Sequence, residues 1–361
     1  MRILHIDEQR GWRGGEQQAS YLIRGLVERG HDCAIAGRTG SAFVTADHGP
    51  GLFEIVEAPF RGEADLWTAF KLSRAVRRLD IDILHAHTSH ALTYAVLARK
   101  LAGRGKVVAS RRVDFPPRQN AFSRWKYGAA DHIIAISGKI AEVMRTFGVP
   151  ESRLSVVYSG IDPARLDVPP LSRSSLGVPE GVPLLGNVAA LVGHKDHQTL
   201  IAAMAEVLRA VPEAHLVVAG EGPLRPELER QIAGLNLGHA VHLLGFRNDV
   251  PAILKALDVF VMSSKEEGLG TSVLDAMAAG VPVVATAAGG IPEMVRDRST
   301  GLLATARNPR QLADQVIEMV RDCRLAERLR ENALTLVYDR FTTSAMVAGN
   351  SEVYENVVRS G

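Results

Sequence analysis

At 361 residues the chain is well beyond the roughly 150 that one core commonly organises, so two domains are expected. A composition of 46% hydrophobic and 23% charged residues excludes a disordered or low-complexity polypeptide. The formal net charge of +2 gives no reason to expect a nucleic-acid partner, but residues 1–165 carry 24 Lys+Arg against 17 Asp+Glu and the remainder 18 against 23, so the halves stand at +7 and −5. A basic first half is compatible with an anionic acceptor or with peripheral contact at an anionic membrane, solvated helix faces being the commoner explanation. Cys33 and Cys323 show no metal-ligand spacing and suit a reducing compartment. Met1–Asp7 has too short an apolar run for a signal peptide, and no later segment has the length of a membrane span. A cytoplasmic protein, at most peripheral at the inner face of the membrane, is expected.

In chain order, the first half alternates β-branched runs with amphipathic stretches, the pattern of a parallel sheet covered by helices. Strands are expected at Arg2–Ile6, Asp32–Ala36, Ile83–His87, Lys106–Ser110, His132–Ile136 and Leu154–Val157. A helix over Ala64–Leu79 should turn Leu66, Phe70, Val76 and Leu79 inward and Lys71, Arg74, Arg77 and Arg78 mostly elsewhere. After the first strand, Gly11–Glu16 forms a glycine loop before a helix; it lacks the third glycine of a dinucleotide fingerprint. Asp80-Ile81-Asp82 precedes a strand and reads as a solvated turn rather than a metal site. His85 and His87 share one strand face, but without further ligands of convincing spacing no metal is expected. Arg111 and Arg112 follow a strand; they suit a carboxylate or phosphate on an acceptor, or an ion pair to Asp114 or a neighbour.

The Pro-, Ser- and Gly-rich stretch 166–182 is the expected linker between a first domain, 1–165, and a second, 183–340. In the second, strands are expected at Leu184–Ala189, His215–Ala219, Val241–Leu244, Val259–Met262 and Val283–Ala285. The chain thus reads as α/β, two Rossmann-like domains whose ligands lie beyond the carboxyl ends of the strands, in an interdomain cleft. The most informative segment runs from Ser263 through Glu267-Gly268-Leu269-Gly270-Thr271-Ser272 to Asp275: a strand ends, a glycine turn follows, and a helix begins near Thr271. Free backbone N–H groups and the positive end of the helix dipole would there face a phosphate. Glu267 would stand beside a reacting sugar and Asp275 toward a nucleoside.

This segment resembles the nucleotide-sugar motif of glycosyltransferase family 4, in which two Glu residues are separated by seven others. Glu267 matches the first, and Asp275 replaces the second. The resemblance implies that Glu267 contacts donor-hexose hydroxyls, that Asp275 contacts the ribose, and that amides of Gly268, Leu269, Gly270, Thr271 and Ser272 bind phosphate and sugar. It extends to Gly220–Leu224, to Gly289–Glu293, and to Gly245, Phe246 and Val250, which would receive the base, Phe246 either packing on it or plugging the core. Lys195 fills the family's lysine position and would neutralise the β-phosphate, while Ala190 stands where that family has Arg. The paired-glycine loop would bring Gly15 to the donor and Gly14 to the acceptor, and His87 would lie near the donor sugar. The implied protein has the GT-B fold, with a last helix over 341–361 returning to the first domain. It would transfer a hexosyl group from a nucleoside diphosphate sugar to a saccharide, lipid-linked or other hydroxyl acceptor, with retention and no metal or other cofactor, in cell-envelope polysaccharide, lipopolysaccharide or glycolipid synthesis. The rivals are a sugar-nucleotide epimerase or hydrolase of the same fold and a non-catalytic sugar-nucleotide-binding protein.

Overall fold

A computed structural model describes residues 1–62 and 65–360, in two compact units: 1–160 together with the helix from Thr343, and 161–342. In the first unit β1 (Arg2–Asp7), α1 (Gly14–Glu28), β2 (Asp32–Arg38), α2 (Ala42–Thr45), β3 (Leu52–Ala58), α3 (Leu66–Arg78) and β4 (Ile83–Ala86) come first. They are followed by α4 (Ser89–Ala102), β5 (Lys106–Arg111), α5 (Ala121–Gly128), β6 (His132–Ala135), α6 (Gly138–Phe147) and β7 (Leu154–Val156). The strands pair in parallel in the order β3-β2-β1-β4-β5-β6-β7.

The second unit contains β8 (Leu184–Val188), α7 (His197–Ala210), β9 (His215–Ala219), α8 (Arg225–Gly234), β10 (Val241–Gly245), α9 (Val250–Ala256) and β11 (Val259–Met262). Then come α10 (Thr271–Ala278), β12 (Val283–Thr286), β13 (Leu302–Ala304), α11 (Pro309–Arg321) and α12 (Cys323–Arg340). Its parallel sheet has the order β10-β9-β8-β11-β12-β13. Each sheet reverses direction of growth once, at β1/β4 and at β8/β11, and a doubly wound sheet opens a ligand crevice beyond the carboxyl ends of such a pair. Each unit is an α/β sheet with its own apolar core, Ile3, Ile35, Ile83 and Tyr354 lying in one and Leu216, Val261, Leu302 and Leu329 in the other.

The last helix, α13 (Thr343–Arg359), packs on α1 as part of the first unit, so closely that a Cβ on Gly25 would lie 2.5 Å from Val347 Cγ2. The expected linker, 166–182, proves to be packed into the second unit. Leu166, Leu176 and Val178 are buried, Arg173 bonds the Val182 carbonyl and Asp258, and the chain passes between units at Gly160/Ile161. Two strands escaped the sequence pattern, β3 and β13. The first is an edge strand that exposes Phe53 and Ile55; the second has three residues.

The expected inward face of α3 is also corrected. Leu66 and Phe70 are exposed, while Val76 and Leu79 are buried as expected, together with Thr68, Ala69, Leu72, Ser73 and Ala75. Ala64, the expected first residue of that helix, lies outside the described residues. Among the described residues no helix is long and apolar enough to cross a membrane.

Gly220 shows how tightly the loops at this edge approach one another. Its φ is +156°, and a Cβ there would lie 1.9 Å from the Ala189 carbonyl oxygen, a contact that only backbone movement could relieve. Gly220→Ala should therefore lower the unfolding free energy by about 3 kcal/mol or more in urea denaturation; an alanine variant as stable as the parent would contradict this packing.

Candidate functional site

In the second unit the loops after β8 and β11 meet at the switch point. Lys195 Nζ lies 2.6 Å from Glu267 Oε2, with side chains only 16% and 11% exposed. A mostly buried carboxylate needs more than one partner, and Ser264 Oγ donates to the same oxygen at 3.0 Å. The two loops are also joined through their backbones. Ser263 Oγ donates to the Lys195 carbonyl at 3.0 Å, and the Lys265 amide donates to the His194 carbonyl at 2.9 Å. Gly290, after β12, donates its amide to the Glu267 carbonyl at 3.0 Å.

Beneath the pair, Asn187 on β8 donates to the Val261 carbonyl of β11 at 2.7 Å, and its Oδ1 lies 3.1 Å from His197 Nε2. Burial, then the Lys195 charge, lowers the His197 pKa to about 4, so this imidazole is neutral and fixes the pose of Asn187. Sequence reading assigned no role to Asn187, His197, Ser263 or Ser264; the two serines open the informative segment, but only the fold shows them bonded to Lys195 and Glu267.

The turn from Glu267 through Gly268 and Leu269 ends at Gly270, whose φ of +95° reverses the chain into α10. The Leu269 side chain is buried, leaving its backbone as the group available to a ligand. No side chain caps α10, so the first-turn N–H groups near Thr271 and Ser272 retain the anion-binding character of a helix start. Asp275, one turn on, is partly covered. Burial pushes its carboxyl up to about 6, with Arg165 opposing the shift. Across the sheet, Gly245 (φ +72°) donates no side chain to its turn but accepts the Gly220 amide at 2.8 Å. Phe246 beside it is 70% exposed, which removes the core-plug alternative, and Val250 opens α9.

In the first unit, period-2 alternation sets His5 on β1, and His85 with the following His87 on and after β4, within one buried cluster. His5 Nδ1 lies 3.1 Å from His87 Nε2, while the ring nitrogens of His85 meet Ser110 Oγ at 2.8 Å and Tyr354 of α13 at 2.6 Å. Candidate ligand atoms of the three imidazoles lie within 4.8 Å of one another. The strand pairing His5↔His85 supplies the third histidine that linear spacing did not reveal. Burial lowers all three pKa values, that of His5 to about 3, so the cluster is neutral. His87 is 2% exposed and turned to His5, so the direct sugar contact that the resemblance implies is not presented at the surface.

Arg111 is engaged within the first unit rather than left open. It is buried, bonds the Tyr127 hydroxyl at 3.0 Å and the Phe115 carbonyl, and stacks on the Phe115 ring. Arg112 lies in the fields of Asp7 and Glu16, with its Cδ near Gly15. Desolvation, reinforced by Glu16, pushes the Asp7 carboxyl up to about 8. Gly14 and Gly15 form the first turn of α1 rather than a loop before it. A cavity of about 320 Å³ opens beside them, lined by Glu8, Arg10, Arg13, Glu16, Arg38 and His90.

The chain matches two family models, "Glycosyltransferase Family 4" over residues 12–165 and "Glycosyl transferases group 1" over residues 170–335. It is 28% identical over 307 residues to the N-acetyl-alpha-D-glucosaminyl L-malate synthase of Bacillus anthracis, covering 82% of this chain and 80% of that protein. It is also 28% identical to the lipopolysaccharide core biosynthesis glycosyltransferase LpsE of Rhizobium meliloti, covering 92% and 93%. Among solved structures, Anabaena HepE in complex with UDP and glucose superposes with a TM-score of 0.86 at 23% identity, over 99% of this chain and 100% of that one.

The raised Asp275 pKa has a stability consequence. The folded state holds this proton more tightly than the unfolded chain, so stability falls as pH rises from about 4 through about 6. Asp275→Asn should therefore be more stable than the parent by about 2 kcal/mol at neutral pH, with the difference vanishing near pH ~4. Thermal denaturation across that range checks it; a pH-independent difference would contradict the burial of the charge.

Proposed function

The chain belongs to glycosyltransferase family 4, and we propose that it moves a hexosyl group from a nucleoside diphosphate sugar to an acceptor hydroxyl with retention of anomeric configuration. The observation that carries this reading is the Lys195–Glu267 pair at the β8/β11 switch point, beside the uncapped start of α10. The diphosphate takes the α10 amides and the Lys195 ammonium, which meets charge that grows on the leaving phosphate. Glu267, relieved of part of its bond to Lys195, accepts from hydroxyls of the hexose. Asp275 takes the ribose, and Phe246 lies under the base. HepE, whose solved complex holds UDP and glucose, lends support to such a donor. LpsE supports an acceptor in envelope glycoconjugate synthesis.

Retention follows from attack on the face that the diphosphate leaves. The acceptor O–H bond breaks, its oxygen bonds the anomeric carbon as the glycosyl–phosphate bond breaks, and the proton passes to the departing phosphate oxygen. No protein base is assigned. The reaction is proposed to need no metal, because Lys195 and the helix amides supply the positive field at the diphosphate. His85 for its part has both ring nitrogens committed to Ser110 and Tyr354.

Glu267→Gln should fold normally and lose about a hundredfold or more in transfer, measured as donor consumed with and without acceptor. A folded variant with parental turnover would remove Glu267 from the site, and equal consumption without acceptor would assign a hydrolase. Activity should also survive chelation; loss restored by a divalent ion would redirect attention to His5, His85 and His87.

A further inference from the structure

Helices α3, α4 and α5 pack side by side, α3 on α4 and α4 on α5. They contain eight Lys and Arg residues and not one Asp or Glu. Along α3, Trp67, Phe70, Lys71, Arg74 and Arg78 follow helical i, i+3, i+4, i+7 and i+11 spacing and therefore share a face. That face is open: Leu66 is 67% exposed, Trp67 66% and Phe70 48%, with the two rings in contact at a centroid distance of 6.3 Å. On α5, Phe122 and Trp125 are exposed as a second aromatic pair, 5.5 Å apart. Between α5 and the end of α4 a cavity of about 510 Å³ is lined by Arg99, Lys100, Arg104 and Trp125. Lys71, Arg74, Lys100 and Arg124 form no ion pair among the described residues.

We infer that this layer docks on the surface of a bilayer containing anionic lipid. Large apolar rings left in water are costly, and indole and phenyl rings find their best place at the headgroup–acyl boundary. Lys71 and Arg74 on the same face then reach lipid phosphates, each contributing to binding within a Debye length of the surface, while Arg78 is held by Glu54 at 2.9 Å. A second copy of the chain fits this face poorly, because a two-fold contact would set one predominantly cationic layer against another, the neighbouring carboxylates of Glu54, Asp131, Asp80 and Asp82 already lying against Arg78, Arg99 and Arg104. A buried protein interface disfavours it as well, since lysine is depleted at interface cores whereas here it adjoins the rings. The inference adds a partner to the proposed glycosyl transfer and favours a lipid-linked acceptor. It rests on surface residues distinct from Lys195 and Glu267, so failure of either reading leaves the other measurable.

The test is sedimentation of the full chain with vesicles of phosphatidylcholine alone and of phosphatidylcholine containing about one third phosphatidylglycerol. The chain should bind the second and not the first, with release at high salt and a blue shift of tryptophan emission that Trp67→Ser reduces. Lys71→Glu/Arg74→Glu and Trp67→Ser/Phe70→Ser, all at exposed positions, should each weaken binding by about tenfold or more, with sugar-nucleotide binding unchanged. Absence of vesicle binding, equal binding to neutral vesicles, or parental binding by both double variants would overturn the inference. So would salt-sensitive binding to duplex DNA in place of vesicles, or self-association abolished by Trp67→Ser/Phe70→Ser.

Discussion

A lysine and a glutamate largely withdrawn from water destabilise a fold unless each satisfies the other, and the second unit is arranged around that requirement at Lys195 and Glu267. The loop after β8 bends through Asp196, at φ +50°, to present the lysine; the loop after β11 presents the glutamate; Ser263, Ser264, Lys265 and Gly290 tie the loops into one frame. A pair held this way is preorganised for a ligand that can replace each charge's partner. On the proposed reading a nucleoside diphosphate sugar would do so in one molecule, its phosphates meeting the ammonium and its hydroxyls the carboxylate. On the same reading, Ala190, at the position where the resemblance implies arginine, would leave Lys195 with a larger share of the phosphate charge.

The first unit solves a different problem. Its sheet carries histidines where a parallel strand core would ordinarily be apolar, and hydrogen bonds among His5, His87, His85, Ser110 and Tyr354 offset part of the cost, His5 Nε2 and His87 Nδ1 being buried without a protein partner. Because Tyr354 comes from α13, the end of the chain completes the polar interior of the first unit, which gives a physical reason for the terminal helix to belong there.

Much of this was legible from periodicity. Eleven strands and the glycine turn at Gly270 follow from β-branched runs and from the chemistry of a helix start, whereas the role expected of Glu267 rests on the family resemblance. What was not legible depends on packing. An amphipathic pattern cannot tell an inward Leu66 from one left exposed, and the contrast matters because the exposed face of α3 is the one with the arginines. Linear spacing showed two histidines, and only strand register adds His5. The sequence left Arg111 open to an acceptor anion or to a structural partner, and only the fold shows it bonded to Tyr127 and Phe115. The stretch 166–182 has a linker's composition, yet Leu166, Leu176 and Val178 anchor it.

The central claim is that the loops after β8 and β11 form a site for a sugar nucleotide, and calorimetric titration of the full chain with a panel of nucleoside diphosphate sugars tests it most directly. The account predicts that at least one of them binds at a single site and that the matching nucleoside diphosphate competes with it. If no member of the panel binds, while the chain is folded and in millimolar ligand, on the order of the weakest useful affinity, the assignment of this site is contradicted.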